Sequence, residues 1–254
     1  MASITIIKGD NTTWNNVQGL TINLQTDYNL SERFGAEFTL CGITKKFDSI
    51  ENNTLYPVFS SKDTASFVVG DTFATFKLLE KITDGENHWV DSRIKTIKSD
   101  IPVTIVAGQF NTDNTIISSQ DSVISIIRGD DTDWNGDNTF TLNLVSELDL
   151  SQFKARFILG HIIKEFDHIV DNRVQPILSH QDTEKLNLGP IWGILQLIDA
   201  EGNIRTVASG IKFLVKRGVF GEQAVSSMVN VTINVPEYTP QEINISVGTG
   251  VQER

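Results

Sequence analysis

The chain contains its own copy. ITIIKGDNTTWN, residues 4–15, lies without a gap over ISIIRGDDTDWN, residues 124–135, and GLTINLQTDYNLS lies over TFTLNLVSELDLS at the same offset of about 120 positions. One extra residue near Glu32 shifts the offset, and the pairing then resumes. FGAEFTLCGITKKFDSI matches FKARFILGHIIKEFDHI, YPVFSSKDT matches QPILSHQDT, and FATFKLLE matches WGILQLID. The first copy carries a longer insert, EKITDGENHWVDSR, where the second has the short turn AEGN. Both copies close alike, with IKTIKSDIPVTIV over IRTVASGIKFLVK. Order preserved through so many segments marks a tandem duplication, and the fold must be one that can be built twice.

Duplication also separates scaffold from local addition. Gly9/Gly129, Asp10/Asp130, Thr12/Thr132, Trp14/Trp134 and Asn15/Asn135 are kept in both copies. This shared GD-x-T-x-WN reads as a turn: glycine takes a backbone conformation other residues resist, and Asp, Asn and Thr bond locally to the main chain. The tryptophan plugs one end of a core. In the second copy, Asp131, Asp133, Asn135 and Gly136 stand where a calcium loop would have its first, third, fifth and sixth residues. Leu142 occupies the twelfth, where such a loop needs a bidentate Glu. The extra acidic residues become Asn11, Thr13 and Val17 in the first copy, so the turn reading leads and a weak calcium site in one copy is the alternative.

The hydrophobic period is mostly two. Leu20, Ile22 and Leu24 alternate with polar residues, as do Phe140, Leu142 and Leu144, and FATFKLL and WGILQLI read as core strands. Asp84-Gly85 and Glu201-Gly202 mark sharp turns between strands. Helical stretches are short at most. The expected fold is all-β: two tandem antiparallel, Ig-like β-sandwich domains, residues 1–107 and 123–220, joined by a linker at 108–122 and followed by an extended C-terminal β arm at 221–254. The linker is either flexible or a strand-bearing bridge. The alternating SMVNVTINV and EINISV of the arm either pair with a neighbour or add strands to the second domain.

With 254 residues, each copy is large enough for its own core. A formal charge of −11 argues against nucleic acid or an anionic membrane as the main partner. No apolar stretch is long enough for membrane insertion, and MASITIIKGD lacks the features of a signal peptide. Cys41, the single cysteine, permits no internal disulfide and reads as a small buried apolar residue.

Chemistry is sparse. No nucleophile elbow, zinc motif, phosphate loop or C-x-x-C is present. His88, His161, His168 and His180 have no histidine counterparts in the other copy. The shared carboxylates Asp48/Asp167 and Asp63/Asp182 sit at a strand end and in a polar turn, which local bonding explains. Trp192, opposite Phe73, reads as core packing. Trp89, beside His88 and Asp91 in the insert, is the best candidate for touching a partner, unless the insert folds back and buries it. No catalytic, cofactor-binding or metal residue is assigned, and the chain is not expected to be an enzyme.

GD-x-T-x-W-N, T-L-N-L, L-D-L-S, A-R-F-I-L-G, I-L-S-x-x-D-T and L-G-x-x-x-G-x-L-Q-L-I-D-A-E-G-N-I-R-T together resemble the N-terminal domain of phage baseplate upper proteins. The match is best over about Val123–Lys216; over about Ile4–Val106 the second glycine of L-G-x-x-x-G is lost at Ala74. The resemblance implies a bacteriophage virion structural protein, made in the host bacterial cytoplasm, in a baseplate, tail or head fibre or adaptor. It implies self-assembly as a trimer or dimer and docking on other virion proteins. It carries over no functional residue. A carbohydrate-binding module for a bacterial surface glycan is the alternative, and a carboxylate hydrolase comes last.

Overall fold

The computed structural model describes residues 4–26, 29–31, 33–83, 89–107, 116–117, 123–134, 137–138, 140–217, 229–235, 238 and 240–247. The strands of the first copy are β1 (Ile4–Ile7), β2 (Thr13–Trp14), β3 (Val17–Gln18), β4 (Leu20–Gln25), β5 (Phe34–Leu40), β6 (Ile43–Phe47) and β7 (Thr54–Leu55). A single helical turn, α1 (Ser61–Ala65), precedes β8 (Gly70–Thr83) and β9 (Trp89–Val106). After β10 (Ile116–Ile117) the pattern recurs as β11 (Ile124–Arg128), β12 (Asp133–Trp134), β13 (Asp137–Asn138), β14 (Phe140–Val145), β15 (Lys154–Leu159), β16 (Ile162–Phe166) and β17 (Arg173–Val174). Then come α2 (His180–Glu184), β18 (Gly189–Ile198), β19 (Ile204–Arg217), β20 (Val229–Asn234) and β21 (Gln241–Ser246).

The fold is all-β, in two sandwich units. In the first, the sheet β1-β9-β8-β5-β6 faces β21-β4-β7; in the second, β11-β19-β18-β15-β16 faces β10-β20-β14-β17. Hairpin-linked strands pair antiparallel, as the alternating pattern requires. Four pairs are parallel: β1 with β9, β11 with β19, β4 with β21, and β14 with β20. Between the sheets of the first unit lie Ile22, Phe38, Phe59, Phe76, Val103 and their neighbours, all fully buried. In the second, Phe140, Phe157 and Phe213 meet edge-on or tilted at centroid distances of 5.2–5.9 Å, the arrangement aromatic quadrupoles favour.

The C-terminal strands correct the expected arm. Residues 221–254 do not form one appendage: β20 belongs to the second unit and β21 to the first, so the units comprise Met1–Ala107 with Tyr238–Arg254, and Gly108–Glu237. Each returning strand is core. Val231 and Ile233 are buried in the second unit, and Ile243, Ile245 and Val247 in the first. Alternation in SMVNVTINV and EINISV was legible, but parallel pairing with strands more than two hundred residues away in the case of β21 leaves no local signature. Tyr238 marks where the chain rejoins the first unit. Its hydroxyl donates to the Thr12 carbonyl at 2.9 Å, directly over Gly19, where a Cβ would overlap both groups. The linker carries a strand, β10, which pairs antiparallel with β20; the rest of it lies outside the described residues.

The lost glycine of the first copy has a packing reason. A Cβ at Gly193 would stand 2.7 Å from Phe213 Cε2 and 3.1 Å from Phe157 Cε2. The matching residues of the first copy are Ala74 and Val103, both buried. The methyl that Ala74 adds is offset by the ring Val103 lacks, and close-packed cores require such exchanges. The long insert is described at 80–83 and 89–93. It extends the β8–β9 hairpin, pairing Glu80 with Arg93, Lys81 with Ser92 and Thr83 with Trp89. The Trp89 side chain lies outside the described residues.

Two predictions follow from this packing. Ending the chain after Glu237 removes β21 and three buried aliphatic side chains, each contributing about 1.5–3 kcal/mol, which together approach the whole stability of a domain. Calorimetry should show the first unit's transition lost while the second unit's survives. Gly193→Ala should destabilise the second unit by about 1–3 kcal/mol. Combined with Phe213→Val it should restore part of that loss, giving a favourable coupling of about 1 kcal/mol or more in a double-mutant cycle. Additive effects would sink the compensation.

Candidate functional site

The motifs shared by the two copies close on each other. Gly9 and Gly129 both take φ of 89°, the left-handed conformation that glycine permits. Their N–H groups donate to Thr64 Oγ1 and Thr183 Oγ1 at 3.2 Å, and those hydroxyls donate to the carbonyls of Asp10 and Asp130 at 2.7 Å. Thr12 and Thr132 accept from the N–H of Phe59 and Leu178 at 2.8 Å, while their own N–H groups bond back to the same residues. Ser60 and Ser179 cap the helical turns, with Asp63 and Asp182 completing a capping box. The glycine, threonine, serine and aspartate groups named here are thus engaged in holding a turn to a helix. Trp14, buried at 1% exposure, plugs the first unit as expected; the Trp134 side chain lies outside the described residues.

Of the shared carboxylates, Asp63 and Asp182 are bonded into this corner. Lys45 reaches Asp63 at 2.8 Å and Lys164 reaches Asp182 at 2.7 Å. The Lys164 ammonium, and then the Ser179 N–H, hold Asp182 down to about 2 against partial burial that acts the other way. Asp63 is lowered by Lys45 and Ser60 in the same manner. Asp167 pairs with Lys154 at 3.0 Å on the open surface. In the calcium-like loop, Asp131 Oδ1 accepts the His180 N–H at 2.6 Å, which ties the loop to α2. Asn135 and Gly136 lie outside the described residues. His161 stands in the β15–β16 turn, His168 after β16 and His180 at the start of α2, and His88 is outside the described residues. Cys41 is exposed rather than buried: it occupies the tight β5–β6 turn at φ 48°, a position the second copy gives to Gly160.

Trp192 is not core packing. It is 53% exposed, and its counterpart Phe73 is 64% exposed. In WGILQLI the inward residues are Gly193, Leu195 and Leu197, and the outward ones Trp192, Ile194, Gln196 and Ile198. A segment apolar on both faces gives its period but not its direction.

The outward face of the β15-β16-β18-β19 sheet carries the clearest difference between the copies. Ile163 pairs with Ile158, and Ile158 with Ile194, so three isoleucines form one row across three strands. Trp192 stands next to Ile194 on β18, with Lys212 Nζ 6.0 Å from its ring centroid. Ile163 is 57% exposed. The first copy has Thr44, Thr39 and Thr75 in the same row, and Thr39 and Thr44 share a hydrogen bond at 2.8 Å. A second feature lies on the smaller sheet of the same unit: an open groove lined by Thr141, Asn143, Arg173, Gln175, Asn230 and Thr232. Arg173 replaces Thr54 of the first copy, whose hydroxyl bonds to Asn23.

Asp182 makes the corner latch acid-sensitive. Its folded value of about 2 lies below the ordinary 3.8, so the stabilisation it brings is complete above about pH 4 and is lost as pH falls toward 2. Melting temperature measured from pH 6 to pH 2 should show wild type and Asp182→Asn furthest apart at pH 6 and converging at pH 2. A constant gap would mean that the carboxylate charge is irrelevant.

No protein-family model matches the chain, and no curated protein matches it in sequence. Among solved structures it is similar to the fibronectin(III)-like modules of Clostridium thermocellum CbhA, at 10% identity over 87% of this chain and 94% of that one, with a TM-score of 0.24. It is also similar to a Ca2+-stabilised adhesin by which an Antarctic bacterium binds ice, at 12% identity over 74% of this chain and 41% of that one, TM-score 0.23. A third similarity is to the Bacteroides ovatus mixed-linkage glucan protein SGBP-B, at 12% identity over 77% and 42%, TM-score 0.22.

Proposed function

We propose that the chain is a non-catalytic structural component of a bacteriophage virion that assembles with itself through the Trp192–Ile194–Ile158–Ile163 face of its second unit and docks on other particle proteins. The observation that carries this is the coordinated change of one row: three threonines in one copy, three isoleucines in the other, at positions that face outward in both. Ile163 is exposed and Ile158 and Ile194 are half-buried, so the row leaves apolar surface on the outward face, and apolar surface beside an aromatic is characteristic of protein contact surfaces. The polar corner motifs are occupied in holding turns, which favours a scaffold over a catalyst.

The test is solution mass by light scattering for wild type and for Ile158→Thr/Ile163→Thr/Ile194→Thr with Trp192→Ala. The threonines are those of the first copy, so the unit should stay folded; the changes at exposed Ile163 and Trp192 should each cost within about 0.5 kcal/mol, and those at half-buried Ile158 and Ile194 about 1 kcal/mol. Wild type is expected to be a dimer or trimer and the variant a monomer. A monomeric wild type, or a variant of unchanged mass, overturns the assignment of this face. Removing the C-terminal strands is not a substitute test, because β20 and β21 are core.

The amide-lined groove favours a second reading, recognition of a bacterial surface glycan. Its Asn, Gln, Thr and Arg side chains suit hydroxyl and carboxylate groups, and it lies on a rigid sheet. Saturable binding on a glycan array, lost in Arg173→Thr but retained in the isoleucine variant, would establish it.

A further inference from the structure

The smaller sheets of the two units end differently. In the second unit the returning strand β20 is covered by β10, with Ile116 opposite Ile233 and Ile117 opposite Thr232, antiparallel. In the first unit the returning strand β21 is the outermost strand of its sheet among the described residues. The two strands are equivalent: Gln241 pairs with Leu20 as Val229 pairs with Phe140, which sets Ile245 in the place of Ile233 and Asn244 in that of Thr232.

The direction of the free backbone groups follows from the ladder. Gln241 N–H donates to the Gly19 carbonyl at 2.8 Å and Val247 N–H to the Gln25 carbonyl at 3.0 Å. In a parallel pair the N–H and C=O of alternate residues point to the same side. The odd-numbered residues therefore face β4, and the peptide groups of Glu242, Asn244 and Ser246 face away from it. All three residues are exposed. The other edges of this unit are guarded. Gln241 closes the β1 edge, its amide accepting from Thr5 N–H and donating to Thr5 O at 2.6 Å. The β6 edge carries Lys45 and Lys46, and β7 is two residues long. Charge and brevity are the usual protections of an edge. QEINIS has neither lysine nor proline.

We propose that the outer edge of β21 accepts a strand from another protein. The occupant is an extended segment lying antiparallel to β21, with a β-branched apolar residue opposite Ile245, as Ile116 lies opposite Ile233, and a polar or basic residue opposite Glu242. Main-chain bonds to residues 242, 244 and 246 supply affinity, and the alternating side chains supply selectivity. The chain's own β10 is engaged in its second unit, so the partner is a different polypeptide of the same chemistry.

The probe is a synthetic peptide of this chain's residues 110–120, FNTDNTIISSQ, which contains the two β10 residues that pair with β20, added to the full-length protein. Amide hydrogen exchange should show residues 242, 244 and 246 exchanging fast in the free protein and slowed at least about tenfold at saturating peptide, with 243 and 245 protected throughout. Asn244→Pro deletes only an outward donor in an edge strand, where proline is tolerated, and should weaken binding about tenfold or more. The same peptide with proline at both isoleucines should not bind. If the three outward amides exchange no faster than their neighbours, or gain no protection with peptide, the proposal fails. Protection appearing only in the second unit would overturn it as well, by showing exchange with β10. These readouts do not involve the Trp192 face.

Discussion

Everything in this fold depends on the third strand of each smaller sheet. Taken from the repeated sequence alone, each copy offers β4 with β7 or β14 with β17, a pair in which the partner is two residues long. Such a ribbon cannot cover a five-stranded sheet, because an unpaired edge beside a core leaves backbone donors and acceptors without water or partner. The chain solves both shortages after the duplication has ended. β20 completes the second unit, and β21 returns to the first, bringing Ile243, Ile245 and Val247 into its core. Closing so long a loop costs only slightly more than closing a short one, so the equilibrium bears it easily. The folding order is another matter. The first unit, although synthesised first, cannot close until residue 247 is available, which makes its completion the late step.

This division explains what could be read in the residues and what could not. The duplication, the alternating strands and the turn function of Gly9 and Gly129 are local, and each has a sequence signal. So has the capping box at Ser60 and Ser179, visible as a serine three residues before an aspartate. The destination of β21 has none, because QEINIS is an ordinary alternating strand whose partner is chosen by an open edge elsewhere. Trp192 fails for a different reason. With apolar residues on both faces of WGILQLI, the inward set is decided by the rings of Phe157 and Phe213, which admit only Gly193 between them. Cys41 was legible in principle, since its counterpart is Gly160; a glycine match points to a left-handed turn, which is an exposed place.

The two copies also show which constraints persist after duplication. The main bonds of the latch between the GD turn and the helical turn recur in both copies to within about 0.1 Å, because each of these donors and acceptors answers another. The core varies by exchange, Ala74 with Val103 against Gly193 with Phe213. Surface ion pairs vary more freely: Glu37 pairs with Lys46 in the first unit, whereas Arg156 pairs with Glu165 at the same two positions with the signs reversed. An exposed pair contributes little to stability, and only its complementarity is retained.

Against that background the isoleucine row stands apart. Exchange in a core is held by volume, and exchange in an ion pair by sign, but nothing within the unit links Ile158, Ile163 and Ile194 more tightly than it links Thr39, Thr44 and Thr75. Threonine suits an outward strand position as well as isoleucine does, and Thr39 and Thr44 satisfy each other's hydroxyls. Drift toward isoleucine at three outward positions would raise the tendency to associate indiscriminately. The net charge of −11 opposes such association over long range, and it lets a chain carry one apolar row without precipitating. An apolar row on an acidic molecule selects partners by close fit. The difference between the copies at this row sits on the second unit, where the proposed assembly contact lies.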